Sequence, residues 1–191
     1  MTPFPTLHTP RLMLRELTAA DAPELFAIHT QNKFMPWYGW TPMPDLRAAE
    51  QAIEAAAQWR REPATGVRWA LQWRDDPQMV GTCALYDWQP GWRCCTLDFE
   101  LSHGLRGKGL MREALQAVLA WGFGQMALNR VESQVHHLNL PAMRLLRALG
   151  FEQEGCRREA GFWDAAYHDL LLFGLLRREF GVEAVAGVTA L

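Results

Sequence analysis

Neither cysteine, nor charge of one sign, nor a long apolar run is abundant enough in this 191-residue chain to define it. Cys83, Cys94, Cys95 and Cys156 show neither CxxC spacing nor a ligand pattern with the six histidines, and Cys94 and Cys95 are adjacent. A disulfide framework and a bound metal are therefore not expected, and reduced thiols in a cytosol fit best. The longest apolar run, Leu170 to Leu176, is far too short to cross a bilayer, and no basic region followed by an apolar segment opens the chain. A soluble, cytoplasmic protein without a membrane partner is expected. Nineteen basic against 21 acidic side chains give a net charge of -2, which removes any overall footprint for nucleic acid and leaves room only for a local basic patch. Internal repeats, low-complexity tracts and interdomain linkers are missing too. What is present is core-forming material: 49% of the residues are hydrophobic, enough for one compact domain over residues 1–180, with a flexible tail expected at 181–191.

Periodicity orders that domain. Arg11 to Leu17 alternates as an opening strand with Leu12 and Leu14 inward, and Thr18 with Asp21 three residues on marks a capped helix carrying Leu25 and Ile28. An aromatic, proline-rich segment from Lys33 to Pro44 precedes a second helix carried by Ala49, Ile53, Ala56 and Trp59. Val67 to Trp73, Met79 to Asp87 and Arg93 to Ser102 read as strands separated by turns at Asp75-Asp76-Pro77 and Gln89-Pro90-Gly91. A long helix follows, with Ala114, Ala117, Val118 and Trp121 on one face, and is expected to fray near Gly122 to Met126. Arg130 to His137 alternates again. Asn139 caps another helix, Pro141 suits its first turn and Gly150 ends it, before an antiparallel pair at Phe151 to Glu159 and Tyr167 to Glu179.

The most informative stretch lies between the fourth strand and the long helix: Leu105-Arg106-Gly107-Lys108-Gly109-Leu110-Met111. Gly107 and Gly109 can take positive φ and let the backbone approach a ligand. The first N–H groups of a helix starting near Leu110 lack intrahelical partners and point at any anion there, with the helix dipole adding to the pull. Arg106, Lys108 and Arg112 surround them with positive charge. A glycine turn that merely caps a strand-to-helix corner has the same composition, so the loop alone does not decide.

Taken in order, Thr9-Pro10-Arg11-Leu12-Met13-Leu14-Arg15, the loop from Arg106 to Met111, Asn139 followed by Leu149-Gly150-Phe151, and Tyr167-His168-Asp169 before an apolar run make the chain resemble the GNAT superfamily of acyl-CoA-dependent N-acyltransferases, most closely its RimJ/RimL-like branch, over roughly 11–180. The resemblance implies an α/β (α+β) fold: a mixed, mostly antiparallel central sheet, flanked by helices and splayed between its fourth and fifth strands. It implies acetyl-CoA as co-substrate. The pyrophosphate would rest on Arg106, Gly107, Lys108, Gly109, Leu110, Met111 and Arg112, with Arg144 or Arg147 in reach, and the pantetheine arm would run past Leu101 and Asn139. Asn139 as a plain helix cap is the alternative, and both roles can coexist. Met111 departs from the usual Gly or Ala but matches RimL-like members.

Acyl transfer needs a neutral amine, donors for the oxyanion and aligned partners. Backbone N–H groups near Glu100 to Ser102 are the expected donors. The family's acid and base positions are not met: Leu146 stands where some members carry tyrosine, Ala142 where RimL-like members often carry serine, and Gly161 where they carry glutamate. Glu159, two residues earlier on what alternation makes the same face, Glu100 and Tyr167 are the replacement candidates, with Asp98, Glu132 and His168 behind them. For Asp98 and Glu132 a solvated strand face is the competing reading, and for Tyr167 a core position. Trp37, Tyr38 and Trp40 fall where the resemblance places the acceptor wall, though such rings also serve as core or lid. Trp88 and Trp92 flank a turn and suit a homodimer interface. The expected activity is acetylation of a protein N-terminal α-amine of ribosomal-protein type. The alternatives are a small amine acceptor, such as an amino acid, polyamine or antibiotic, and a non-catalytic acyl-CoA-binding module.

Overall fold

A computed structural model of the chain describes residues 3–30, 43–61 and 63–181. Its frame is one eight-stranded sheet: β1 (Leu7–His8), β2 (Leu12–Glu16), β3 (Val67–Trp73), β4 (Met79–Gln89), β5 (Cys94–Leu101), β6 (Arg130–His136), β7 (Glu152–Trp163) and β8 (Ala166–Leu176). The spatial order is β1-β2-β3-β4-β5-β6-β8-β7, and every neighbouring pair is antiparallel except β5 with β6. The two-residue β1 is too short to leave a periodic signal, so the expected fourth and fifth strands are β5 and β6. The mixed, mostly antiparallel sheet with flanking helices is as expected.

Helices cover both faces. α1 (Ala22–Thr30) and α2 (Leu46–Gln58) pack on one, around Leu17, Leu25, Ile28, Ile53 and Ala70. On the other, α3 (Leu110–Gln125) and α4 (Leu140–Ala148) bury against Leu85, Leu97, Val131 and Phe173. The chain enters α1 through a 3-10 turn at Ala19–Asp21, where Asp21 accepts from the Thr18 N–H at 2.8 Å and is held by both terminal nitrogens of Arg15. Asp45 caps α2 by accepting from the Ala48 N–H at 2.9 Å. Among the described residues no helix is long and apolar enough to cross a membrane.

Two expectations need correction. α3 does not fray at Gly122: the helix continues to Gln125, with Gly122 and Phe123 buried. A side chain at Gly122 would stand 2.8 Å from Leu85 Cδ1 and 3.1 Å from Leu128 Cδ1, so glycine there buys close helix–sheet approach rather than a break. Gly122→Val is therefore expected to cost about 1–3 kcal/mol by overpacking despite its better helix propensity, read as a lowered thermal midpoint. β7 also runs four residues past Glu159, to Trp163, through a bulge: Arg157 pairs with Leu170 and Gly161 with His168, so three residues face the single Asp169.

Candidate active site

The parallel pairing of β5 with β6 covers only Cys94–Arg130, Cys95–Val131 and Thr96–Glu132. One further link exists, the Ser133 hydroxyl donating to the Leu97 carbonyl at 3.2 Å. Beyond it the strands part, and a cleft of about 750 Å³ opens between Leu97–Leu101 on one side and Ser133–His136 on the other. Successive N–H groups of a strand point to opposite edges. Since the Ser102 N–H is spent on Val80 O at 2.9 Å, toward β4, the Leu101 N–H faces the cleft.

At one end the cleft meets the glycine loop. After a 3-10 turn at His103–Leu105, both Gly107 and Gly109 take φ of 75°, a left-handed conformation that a side chain would strain. A Cβ at Gly107 would meet nothing within 4 Å, so its surroundings are open to a ligand. Gly109 is the N-cap of α3, whose first residues Leu110 and Met111 are buried and anchor the helix start. Arg106, Arg112 and Arg144 line the cleft, while the exposed Lys108 lies at its rim and does not line it. Asn139 also lines it and caps α4, its Oδ1 accepting from the Ala142 N–H at 3.2 Å. The cap uses the oxygen alone.

The face toward α1 and α2 carries charge. Tyr86, Asp98 and Glu100 point into the cleft from β4 and β5. Arg68 on β3 bonds Asp98 at 2.8 Å and the Thr82 hydroxyl at 3.1 Å, and stands 3.7 Å from Glu100 Oε1. Thr82 donates to Glu100 Oε1 at 2.9 Å, and His29 Nε2 lies 2.9 Å from Glu100 Oε2. Burial alone would push Glu100 up, but the hydrogen bond and charge of His29, followed by Arg68 and Thr82, hold its carboxyl below the usual range. Burial likewise works against the His29 cation, and Glu100 outweighs it, so the His29 pKa is raised. For Asp98 burial wins over Arg68 and the carboxyl is raised. The His29 shift has a sign that can be tested. Its stabilising effect is complete below about pH 6.5, the ordinary histidine value, and is lost as pH rises through the raised one. The stability gap between wild type and His29→Gln is expected to be wider at pH 6 than at pH 9, measured by denaturant unfolding at both.

Across the cleft, β6, β7 and β8 contribute an imidazole chain. Leu138 N–H donates to His136 Nδ1 at 3.3 Å, His136 Nε2 lies 3.2 Å from His168 Nδ1, and His168 Nε2 lies 3.2 Å from the Trp163 carbonyl. These partners suit a hydrogen on Nε2 of each ring, His136 donating to His168 and His168 to the Trp163 carbonyl. Burial and the neighbouring His137 and His168 lower the His136 pKa, in keeping with a neutral ring. Trp163 stacks on His168 at 4.0 Å and forms a wall of the cleft.

Of the candidate base and acid residues, only Glu100 and Asp98 among the carboxylates line this cleft. Asp98 is not on a solvated face but paired with Arg68. Glu159 is exposed and does not line the cleft: its φ of 50° and its N–H bond to Asp169 Oδ1 at 2.8 Å belong to the bulge, which breaks the alternation that put it on the face of Gly161. Tyr167 is 66% exposed and packs on Phe162, neither in the core nor on the cleft wall. Glu132 is half exposed and held by Arg130 at 2.7 Å. Trp37, Tyr38 and Trp40, and the tail from 182 on, lie outside the described residues. Trp92 is exposed, whereas Trp88 packs against the core. Sequence reading missed Arg68 and His29, whose partners lie on distant elements, and Trp163, hidden by the early end assigned to β7.

Comparison with known proteins agrees with this fold. A family model described as an acetyltransferase (GNAT) domain matches residues 11–152. An uncharacterized N-acetyltransferase of Bacillus subtilis, YoaA, is 27% identical over 91% of this chain and 98% of its own. The [ribosomal protein uS5]-alanine N-acetyltransferase of Escherichia coli is 25% identical over 88% and 89%. Among solved structures, Mycobacterium smegmatis RimJ in complex with CoA-disulfide superposes with a TM-score of 0.82 at 20% identity, covering 98% of this chain and 96% of that one. Spermidine N-acetyltransferase of Vibrio cholerae, bound to CoA and spermine, gives 0.77 at 19%, covering 88% and 97%. With a family model spanning most of the sheet and the whole glycine loop, the chain belongs to the GNAT acetyltransferase family.

Proposed function

We propose that residues 1–180 form a single acetyl-CoA-dependent N-acetyltransferase domain whose acceptor is a peptide α-amine. The observation that carries the reading is the cleft itself, which joins a positive-φ glycine loop at a helix start to an exposed strand edge and a carboxylate-bearing face. Acetyl-CoA would supply the activated acyl group. The open backbone at Gly107 and Gly109 and the polar Asn139 fit such a molecule: the N–H groups from Arg106 to Met111, with Lys108, Arg112 and Arg144, would hold its pyrophosphate, and Asn139 its pantetheine arm. The Leu101 N–H would donate to the carbonyl oxygen as charge builds there.

Proton handling supports an α-amine. Both oxygens of Glu100 are engaged and its pKa is lowered, so it takes a proton from an ammonium group poorly. An α-amine, with an ordinary pKa of about 7.7 to 8.0, is already partly neutral near pH 7, whereas a lysine near 10.4 is neutral only about once in a thousand. The relative that modifies an alanine of ribosomal protein uS5 points the same way. The spermidine enzyme raises a polyamine as the second reading. Here Asp98 and Glu100 are balanced by Arg68 and His29, which leaves little net negative charge for a polycation. Thiol release from acetyl-CoA, measured against short peptides with varied free N-termini and a matched panel of polyamines and amino acids, tests this. Selective peptide turnover is expected; selective polyamine turnover would reverse the assignment.

A further inference from the structure

The glycine loop packs little of itself into the protein. Side chains at Gly104 or Gly107 would meet nothing within 4 Å. Something must nevertheless fix the orientation of its peptides, because two left-handed glycines allow several. The motif before β2 does so from about 100 residues away in sequence. Arg11 Nη1 donates to the Lys108 carbonyl at 3.0 Å, Arg11 Nε and its backbone N–H donate to the two oxygens of Glu113 at 2.7 and 2.9 Å, and the Thr9 hydroxyl adds a bond to Glu113 Oε1 at 2.6 Å. Burial opposes ionisation of Glu113, but Thr9 and Arg11 outweigh it and hold the carboxyl below its ordinary range.

Two consequences follow from peptide geometry and charge. The carbonyl of Lys108 and the N–H of Gly109 belong to one trans peptide and point in opposite directions. Tying that oxygen to Arg11 turns the Gly109 N–H away from Arg11. Glu113 lies in the first turn of α3, where a carboxylate is favoured by the helix dipole but repels a phosphate approaching the same helix end. Arg11 neutralises it in place. We infer that Arg11, through Glu113 and the Lys108 carbonyl, is a positioning residue for phosphate binding, fixing the 108–109 peptide with its N–H directed at the pyrophosphate. The inference rests on the functional reading above.

The test is calorimetric titration of CoA into wild type, Arg11→Lys, Arg11→Gln, Glu113→Gln and the Arg11→Gln/Glu113→Gln double variant, with amide hydrogen exchange of residues 107–112 followed in each without CoA. Arg11→Lys keeps the charge but cannot span Glu113 and the Lys108 carbonyl with a fork. Both Arg11 variants are expected to bind CoA about tenfold more weakly, with faster exchange in the loop, while kcat at saturating acetyl-CoA and the KM for the amine stay near wild type. The double variant should lose less than the product of the two single losses, because Arg11 and Glu113 act together. Wild-type affinity and exchange in Arg11→Lys would show that charge alone matters and overturn the clamp. Unchanged affinity in Arg11→Gln would do the same if its unfolding midpoint is retained; if that variant is unstable, Arg11→Lys decides. A wild-type chain that does not bind CoA would instead sink the functional reading, and the phosphate-positioning role with it.

Discussion

Gly109→Glu is expected to weaken acetyl-CoA binding by at least about 100-fold, roughly 2.7 kcal/mol, the largest effect on binding of any single change in the loop. Three causes act together. A non-glycine residue at φ of 75° carries a strain of about 1–3 kcal/mol, which moves the loop away from its observed path. The added carboxylate stands where the helix start gathers an anion. Its first carbon would also lie 3.7 Å from Arg11 Nη2, which invites Arg11 to pair with the new acid instead of Glu113. Calorimetry with acetyl-CoA checks this beside an unfolding curve. Near-wild-type affinity in a folded variant would remove the pyrophosphate from this loop.

The largest loss of stability is expected from Arg68→Met. Arg68 compensates Asp98 and Glu100 at once, and its guanidinium also lies 5.4 Å from the Trp59 ring. Removing one partner of a buried ionic group leaves uncompensated charge and costs about 3–5 kcal/mol. For a chain of this length that corresponds to a fall of roughly 10 °C in the thermal midpoint. Replacing all three, as Arg68→Met/Asp98→Asn/Glu100→Gln, should cost less than Arg68→Met alone, because both acids go with the guanidinium and His29, no longer facing Glu100, can shed its proton. A single variant within 1 kcal/mol of wild type would show that water, not Arg68, compensates the acids.

The sheet and the glycine loop were legible because both write themselves locally. Period-two alternation marks β2, β3 and β6, and a glycine pair between a strand and an amphipathic helix marks a turn with positive φ. The cap at Asn139 and the turn at Gly150 follow from the same local chemistry. What local chemistry does not encode is which distant side chains meet. Arg68, His29 and Glu100 come from β3, α1 and β5, and no spacing joins them. Glu159 failed for a different reason: alternation predicts a face only while the register holds, and the bulge opposite Asp169 resets it. Tyr167 invited burial by its residue type, yet sits beside the turn of the β7–β8 hairpin, exposed with Phe162. Thr9 and Arg11 were read as a family landmark, and only the fold reveals that they grip α3.

Whether the cleft serves acetyl transfer from acetyl-CoA to an α-amine is open to a single experiment. Purified protein, acetyl-CoA and a peptide with a free N-terminus and an internal lysine are incubated, and thiol released is compared with acetylated peptide mapped by tandem mass spectrometry. One thiol per acetyl group is expected, with the acetyl on the N-terminal amine and not on the lysine. Tight binding of acetyl-CoA with no acetylated product, from this peptide or any amine in the panel, would contradict it and leave a module that binds the thioester without turning it over.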